Sequence, residues 1–167
     1  MEMLRAQLFT GLSDSNGFYS VAGVPAGAYT LTPNKTDGVN GISAFDASLV
    51  LRHAAGLTNL TGNAAVAADV DKSGAINSMD AFYILQDAVG LLPPPFPGAG
   101  EVWTFVPSMR SYANLTSDQT GQDFTAVLLG DVSGNWSAPA GSPMSPLDGG
   151  DKGPKDLQSV VTLALRS

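Results

Sequence analysis

Cysteine is absent from the 167-residue chain, which removes disulfides, thiol chemistry and thiolate metal sites and leaves the compartment open. Charge is scarce too. Only 14% of residues are charged, against roughly 25% in most soluble domains. The formal net charge of −7 argues against phosphate backbones and anionic membranes as partners, so neither nucleic acid nor membrane insertion is expected, and it suits divalent cations. The single histidine, His53, has no nucleophile or carboxylate constellation around it. No nucleophile–base pair, phosphate-cradling glycine loop or paired catalytic carboxylates stand out elsewhere, so an enzyme is not expected. No apolar run approaches the roughly 18–20 residues of a membrane span.

What the chain has instead is 19 glycines, 11 prolines and a 44% hydrophobic content, a β-and-loop composition with enough apolar residues for a packed core. Residues 3–10 read as a strand. Between Ser13 and Pro33 two more are expected, over Phe18–Ala22 and Tyr29–Thr32, with turns at Asp14–Gly17 and Val24–Gly27. From Asn34 to Leu92 the pattern becomes helical and repeats itself. Ile42–Leu57 and Ile76–Leu91 align so that Asp46 and Asp80 stand 34 positions apart, as do Gly56 and Gly90. Each copy is a loop feeding a helix of about three turns closed by glycine. Phe45, Leu49, Val50, Ala54 and Leu57 fall on one face of the first helix, and Met79, Tyr83, Ile84, Ala88 and Leu91 on one face of the second. Pro93-Pro94-Pro95 ends the helical region. Strand patterns return at 101–106 and 123–129, separated by a polar stretch over 114–122.

The strongest motif runs from Asp69 to Asp80. Its twelve residues carry oxygen side chains at positions 1, 3, 5, 9 and 12 (Asp69, Asp71, Ser73, Asn77, Asp80) and glycine at position 6 (Gly74). Calcium takes six to eight hard oxygen ligands, and this spacing wraps them around one ion. Ala75 offers its carbonyl, Asn77 sits where a ligand often acts through water, and Ile76 is expected to point inward. An ordinary EF-hand closes with Glu at position 12; here it is Asp.

That Asp, followed by a helix ending in Gly-Leu and a second copy nearby, resembles the dockerin family over about Asp37 to Leu91. The resemblance implies two F-hands, each an EF-hand without its entering helix, with calcium in both loops and helical faces that grip cohesin domains. Separately, Asp14, Gly17, Tyr19, Val21, Val24, Pro25, Gly27 and Tyr29 resemble the carboxypeptidase regulatory-like fold, an immunoglobulin-like sandwich; two generic hairpins are the alternative.

The first loop departs from the pattern. Counting back from Asp46, Lys35 falls at position 1, Asp37 at 3, Val39 at 5 and Asn40 at 6. Asp37, Asn40, Ser43 and Asp46 remain as side-chain donors, with carbonyls such as that of Val39 to help. The loop therefore binds calcium with altered geometry or borrows a ligand. Asp131-Val132-Ser133-Gly134-Asn135 repeats the opening of a calcium loop and is a candidate lender through Asp131; an Asx-turn is the equal alternative. One calcium site is expected, with a second and a third as further candidates.

Asn34, Asn59, Asn114 and Asn135 each open an Asn-x-Ser/Thr sequon, which favours an exported, glycosylated protein at the cell surface or outside the cell. Trp103 and Trp136 read as core or edge residues. Residues 137–156 are rich in Pro, Gly, Ser and Asp and read as a linker, with a last strand over 157–167. The expected fold is α+β, a single unit: an immunoglobulin-like β-sandwich (1–33 and 101–136) with the two-helix calcium module (34–92) inserted. A regulatory-like sandwich normally has one or two strands before the segment equivalent to LRAQLF, so an open edge is expected here. The C-terminal strand either folds back into its own sandwich or enters another copy. Two functions follow as expectations: a calcium-binding structural subunit of an extracellular filament or surface assembly, holding other copies of itself by strand exchange, or a dockerin carrying an enzyme or surface domain onto a cohesin-like partner. Ala44-Phe45 and Ser78-Met79, being largely apolar, are expected to be buried against the sandwich, which favours the first.

Overall fold

The computed structural model describes residues 8–14 and 17–137 and the backbone of 160–165. In chain order the elements are β1 (Leu8–Leu12), β2 (Gly27–Asn34), α1 (Ala44–Ala54), α2 (Gly62–Ala68), α3 (Ser78–Ala88), β3 (Trp103–Val106), β4 (Arg110–Leu115), β5 (Thr125–Leu128) and β6 (Val160–Leu165). The protein is α+β, with three helices and small antiparallel sheets. It divides into two compact units, one of residues 1–35, 105–125 and 138–167, the other of 36–104 and 126–137. The single unit expected from the sequence is thus two. Residues 126–136, expected in the sandwich, belong with the helices. The two-stranded β3–β5 ladder contains the boundary.

The first unit is built on a four-stranded sheet in the order β1-β6-β2-β4. Every neighbouring pair is antiparallel, with Thr10 and Thr30 opposite Thr162 and Ala164 of β6, and Tyr29 opposite Tyr112 of β4. Tyr29 and Leu31 alternate inward along β2 and are buried, packed by Phe9, Tyr19, Val21, Val24, Tyr112, Leu115 and Phe124. Phe9 meets Tyr29 edge-on, centroids 6.1 Å apart. At the expected Asp14–Gly17 turn the Asp14 N–H donates to Phe18 O (2.8 Å) and the Phe18 N–H to Asp14 Oδ1 (3.0 Å), while residues 15 and 16 lie outside the described residues. The strand expected over Phe18–Ala22 is not one. Tyr19 turns into the core instead, its hydroxyl donating to Gln122 O, while Phe18 is 75% exposed. Of the expected N-terminal strand, 3–7 lie outside the described residues.

The second unit packs α1 and α3 around Val50, Ala47, Ile84 and Ala81 with Val70, Phe96, Leu129 and Val132. Both helices close in Schellman turns. Gly56 and Gly90 take positive φ, and the Leu57 and Leu91 N–H groups reach back to Arg52 O and Gln86 O at 2.8 Å. The inward face differs from the expected one. Asp46 and Asp80 are fully buried, which turns Ala47/Val50 and Ala81/Ile84 inward and leaves Phe45 60% and Met79 48% exposed. Ala44-Phe45 and Ser78-Met79 are therefore exposed rather than buried against the sheet unit. His53 Nδ1 accepts the Leu60 N–H (3.1 Å) and steers the chain into α2. Trp103 is buried, its indole donating to Asp37 O (2.8 Å) and meeting Trp136 edge-on at 5.4 Å.

Candidate metal centre

The loop that leaves α2 and enters α3 is held open by its own acidic side chains. Asp69, the C-cap of α2, accepts the Ser73 N–H at Oδ1 and the Gly74 N–H at Oδ2, each at 3.0 Å. Asp71 Oδ1 accepts the Ser73 N–H at 2.9 Å. Asp80, three residues into α3, accepts the Val70 N–H (3.0 Å) and the Asp71 N–H (3.4 Å) at Oδ1 and the Asn77 N–H at Oδ2 (2.9 Å). Gly74 at φ +84° lets the chain reverse inside this ring. Ile76 packs against the helical core, as expected.

One carboxylate oxygen each from Asp69, Asp71 and Asp80 lies within 4.8 Å of the other two. Ligands 2.3–2.6 Å from a shared calcium stand at most about 5 Å apart, so the three fit one ion's coordination sphere. Ser73 Oγ and the Ala75 carbonyl lie beside them, 3.3 Å from each other. The donors are all hard oxygens, which suit calcium or magnesium and not a softer transition metal. Asn77 does not aim its oxygen inward. Its Oδ1 accepts the Met79 N–H (2.8 Å) and caps α3, and its amide donates to Ala75 O (2.9 Å). Burial raises the Asp80 pKa above the ordinary carboxylate range; the charges of Asp71 and Asp69 add to this, and the N–H groups of Asn77 and Asp71 oppose it. A cation removes both the burial and the repulsion costs.

α2 was not expected. The dockerin resemblance implies a loop without an entering helix, yet Gly62–Ala68 is helical and delivers Asp69. Its GNAAVAA sequence has no polar–apolar period to betray it. From the other flank, Gly98 (φ +87°) presses on the loop so closely that a Cβ there would sit 2.6 Å from Asp71 O.

Four residues were counted back from Asp46: Lys35, Asp37, Val39 and Asn40. Lys35 falls in the sheet unit. The Asp37 carbonyl is committed to the Trp103 indole, Val39 is 42% exposed, and both ends of the Asn40 amide are paired with the Ser137 backbone (2.7 and 3.0 Å). Asp46 instead meets the 131–135 segment: its Oδ1 accepts the Ser133 N–H at 2.8 Å and its Oδ2 the Ser43 N–H at 2.9 Å. Asp131 is buried, and burial raises its pKa, with the N–H groups of Trp136 and Asn135 opposing and the Asp46 charge adding. The sequon asparagines Asn34, Asn59, Asn114 and Asn135 are all exposed. Among the described residues no helix is long and apolar enough to cross a membrane.

Against family models, curated proteins and solved structures, the chain has no significant match.

Proposed function

We propose that this chain is a non-catalytic, extracellular, calcium-binding structural protein whose copies assemble by exchanging their C-terminal strands. Calcium in the Asp69–Asp80 loop is structural: three like charges gathered within 4.8 Å repel until the ion arrives, so binding and folding of the helical unit are coupled. The assembly role is carried by one observation. β6 pairs on both sides, with β1 and with β2, and without it each of these strands bares an edge in the middle of the sheet. The segment leading to β6 includes 137–156, whose twenty residues can stretch about 65 Å when extended. The slot between β1 and β2 is filled equally well by the strand of a neighbouring copy, through main-chain hydrogen bonds. Head-to-tail insertion does not close on itself, and so builds a filament. The immunoglobulin-like sandwich is the host fold in this reading.

The test removes residues 157–167 from the full chain. The truncated protein stays unpolymerised, and a peptide of that sequence added to intact protein blocks assembly seen by negative-stain microscopy. Intact protein that stays monomeric at high concentration in calcium contradicts strand exchange. A second reading, a dockerin-type module that docks onto a cohesin-like partner, is favoured by the exposure of Phe45, Met79 and Phe82 (51%) on α1 and α3. Under it, Phe45→Ala with Phe82→Ala abolishes partner binding and leaves self-assembly unchanged.

A further inference from the structure

Lys72 is the one cation within the Asp69–Asp80 loop, and it stands between two of the ligand candidates, Asp71 and Ser73. Its ammonium group reaches a distant stretch of chain. Nζ pairs with Glu101 and donates to Thr104 Oγ1 at 3.2 Å. Thr104 is the second residue of β3 and is buried, 8% exposed. The Lys72 backbone is also held in an uncommon conformation, with φ +55°, the only positive φ outside glycine among the described residues. Such a backbone persists where its surroundings fix it from several sides.

The stretch that receives Lys72 is anchored without help from the loop. Phe96 is buried in the helical core, and the Ala99 N–H donates to Phe96 O at 3.1 Å. Further on, Val102 O accepts the Leu129 N–H at 3.1 Å, and Trp103 is buried. Between these anchors Gly98 touches the loop, close enough that a Cβ there would sit 2.6 Å from Asp71 O. Two consecutive loop residues are thus fixed from outside, Asp71 through its backbone and Lys72 through its side chain. Without an ion, the carboxylates of Asp69, Asp71 and Asp80, within 4.8 Å of one another, repel and tend to spread the loop. A support that resists the spreading leaves less ordering to be done when an ion binds, and so tightens binding.

We propose that Lys72, Glu101 and Thr104 form a strap that positions the calcium loop, so that three residues outside the ligand set govern how tightly the ion is held. The inference rests on the calcium reading above. Charge alone is the competing account: Lys72 repels the ion and Glu101 attracts it, each independently. The strap acts only through Lys72, and a mutant cycle separates the two. Calcium affinity is measured in the full-length protein by competition with a chromophoric chelator. Glu101→Gln and Thr104→Val each weaken binding by about two- to fivefold, the range that an exposed ion pair supplies. In a Lys72→Met background neither change has any further effect. If charge alone operates, Thr104→Val changes nothing and Glu101→Gln weakens binding equally with and without Lys72, which overturns the strap. A Thr104→Val protein that melts earlier in chelator yet binds calcium as wild type does also overturns it, since Thr104 then only supports the fold. Should Thr104→Val fail to fold, Glu101→Gln in the two Lys72 backgrounds decides, because Glu101 is exposed. Wild-type protein that takes up no calcium overturns the loop reading and the strap with it; wild type and all variants binding with one affinity overturn the strap alone.

Discussion

Asp69→Ala separates the ion's contribution to stability from the loop's own. Without metal the truncation removes acceptors from the N–H groups of Ser73 and Gly74. Both residues are exposed, so water replaces the lost bonds, and Ser73 keeps Asp71 Oδ1. That loss is about 1 kcal/mol at most. It is offset by removing one of three carboxylates within 4.8 Å, where each like pair costs about 1 kcal/mol even in water. In a chelator, wild type and variant therefore melt within a few degrees of each other. In calcium at about one hundred times its dissociation constant, an intact site adds about 2.7 kcal/mol. For a unit of 60–100 residues that is a Tm increase of roughly 10–20 °C. Asp69→Ala forfeits this increment. Differential scanning calorimetry of both proteins, with calcium and with chelator, measures the difference. An equal calcium-induced shift in the two would refute the reasoning.

Two further outcomes follow from the same geometry. Gly98→Ala places a Cβ 2.6 Å from Asp71 O at φ +87°, so it lowers stability by about 1–3 kcal/mol in urea unfolding and weakens calcium binding at the adjoining loop; an unchanged midpoint contradicts the close contact. Burial raises the pKa values of Asp80, Asp87 and Asp131, so the metal-free folded protein holds protons that the unfolded chain releases. Its Tm in chelator falls as pH rises from about 4 through those raised values, while in calcium the trend reverses, because protons and the ion compete for Asp80; parallel trends contradict this.

The Asp69–Asp80 loop was legible in the sequence because its ligands are local: spacing alone places Asp69, Asp71 and Ser73 around one point, and Gly74 supplies the turn. The repeat of Asp46 on Asp80 and of Gly56 on Gly90 was legible for the same reason. The helical faces were misjudged because Asp46 and Asp80 were counted as polar, whereas hydrogen bonds from loop N–H groups make burying them tolerable and rotate Phe45 and Met79 outward. β4 was missed because RSYANL reads as polar; Tyr112 and Leu115 meet the core, Arg110 lies over the Phe124 ring, and Ser111, Ala113 and Asn114 are exposed. Joining Asp46 to Asp131 depends on tertiary structure, and the only local trace was the Asp-x-Ser-x-Asn echo at 131–135. The sequence pattern also divided the chain at 33 and 101, where packing places the boundary inside β3 and β5.

Anomalous diffraction from crystals of the intact chain grown in calcium tests the central claim most directly. The account predicts an anomalous peak with oxygens of Asp69, Asp71 and Asp80 about 2.3–2.6 Å away; a peak-free loop holding only water among those three carboxylates would contradict it.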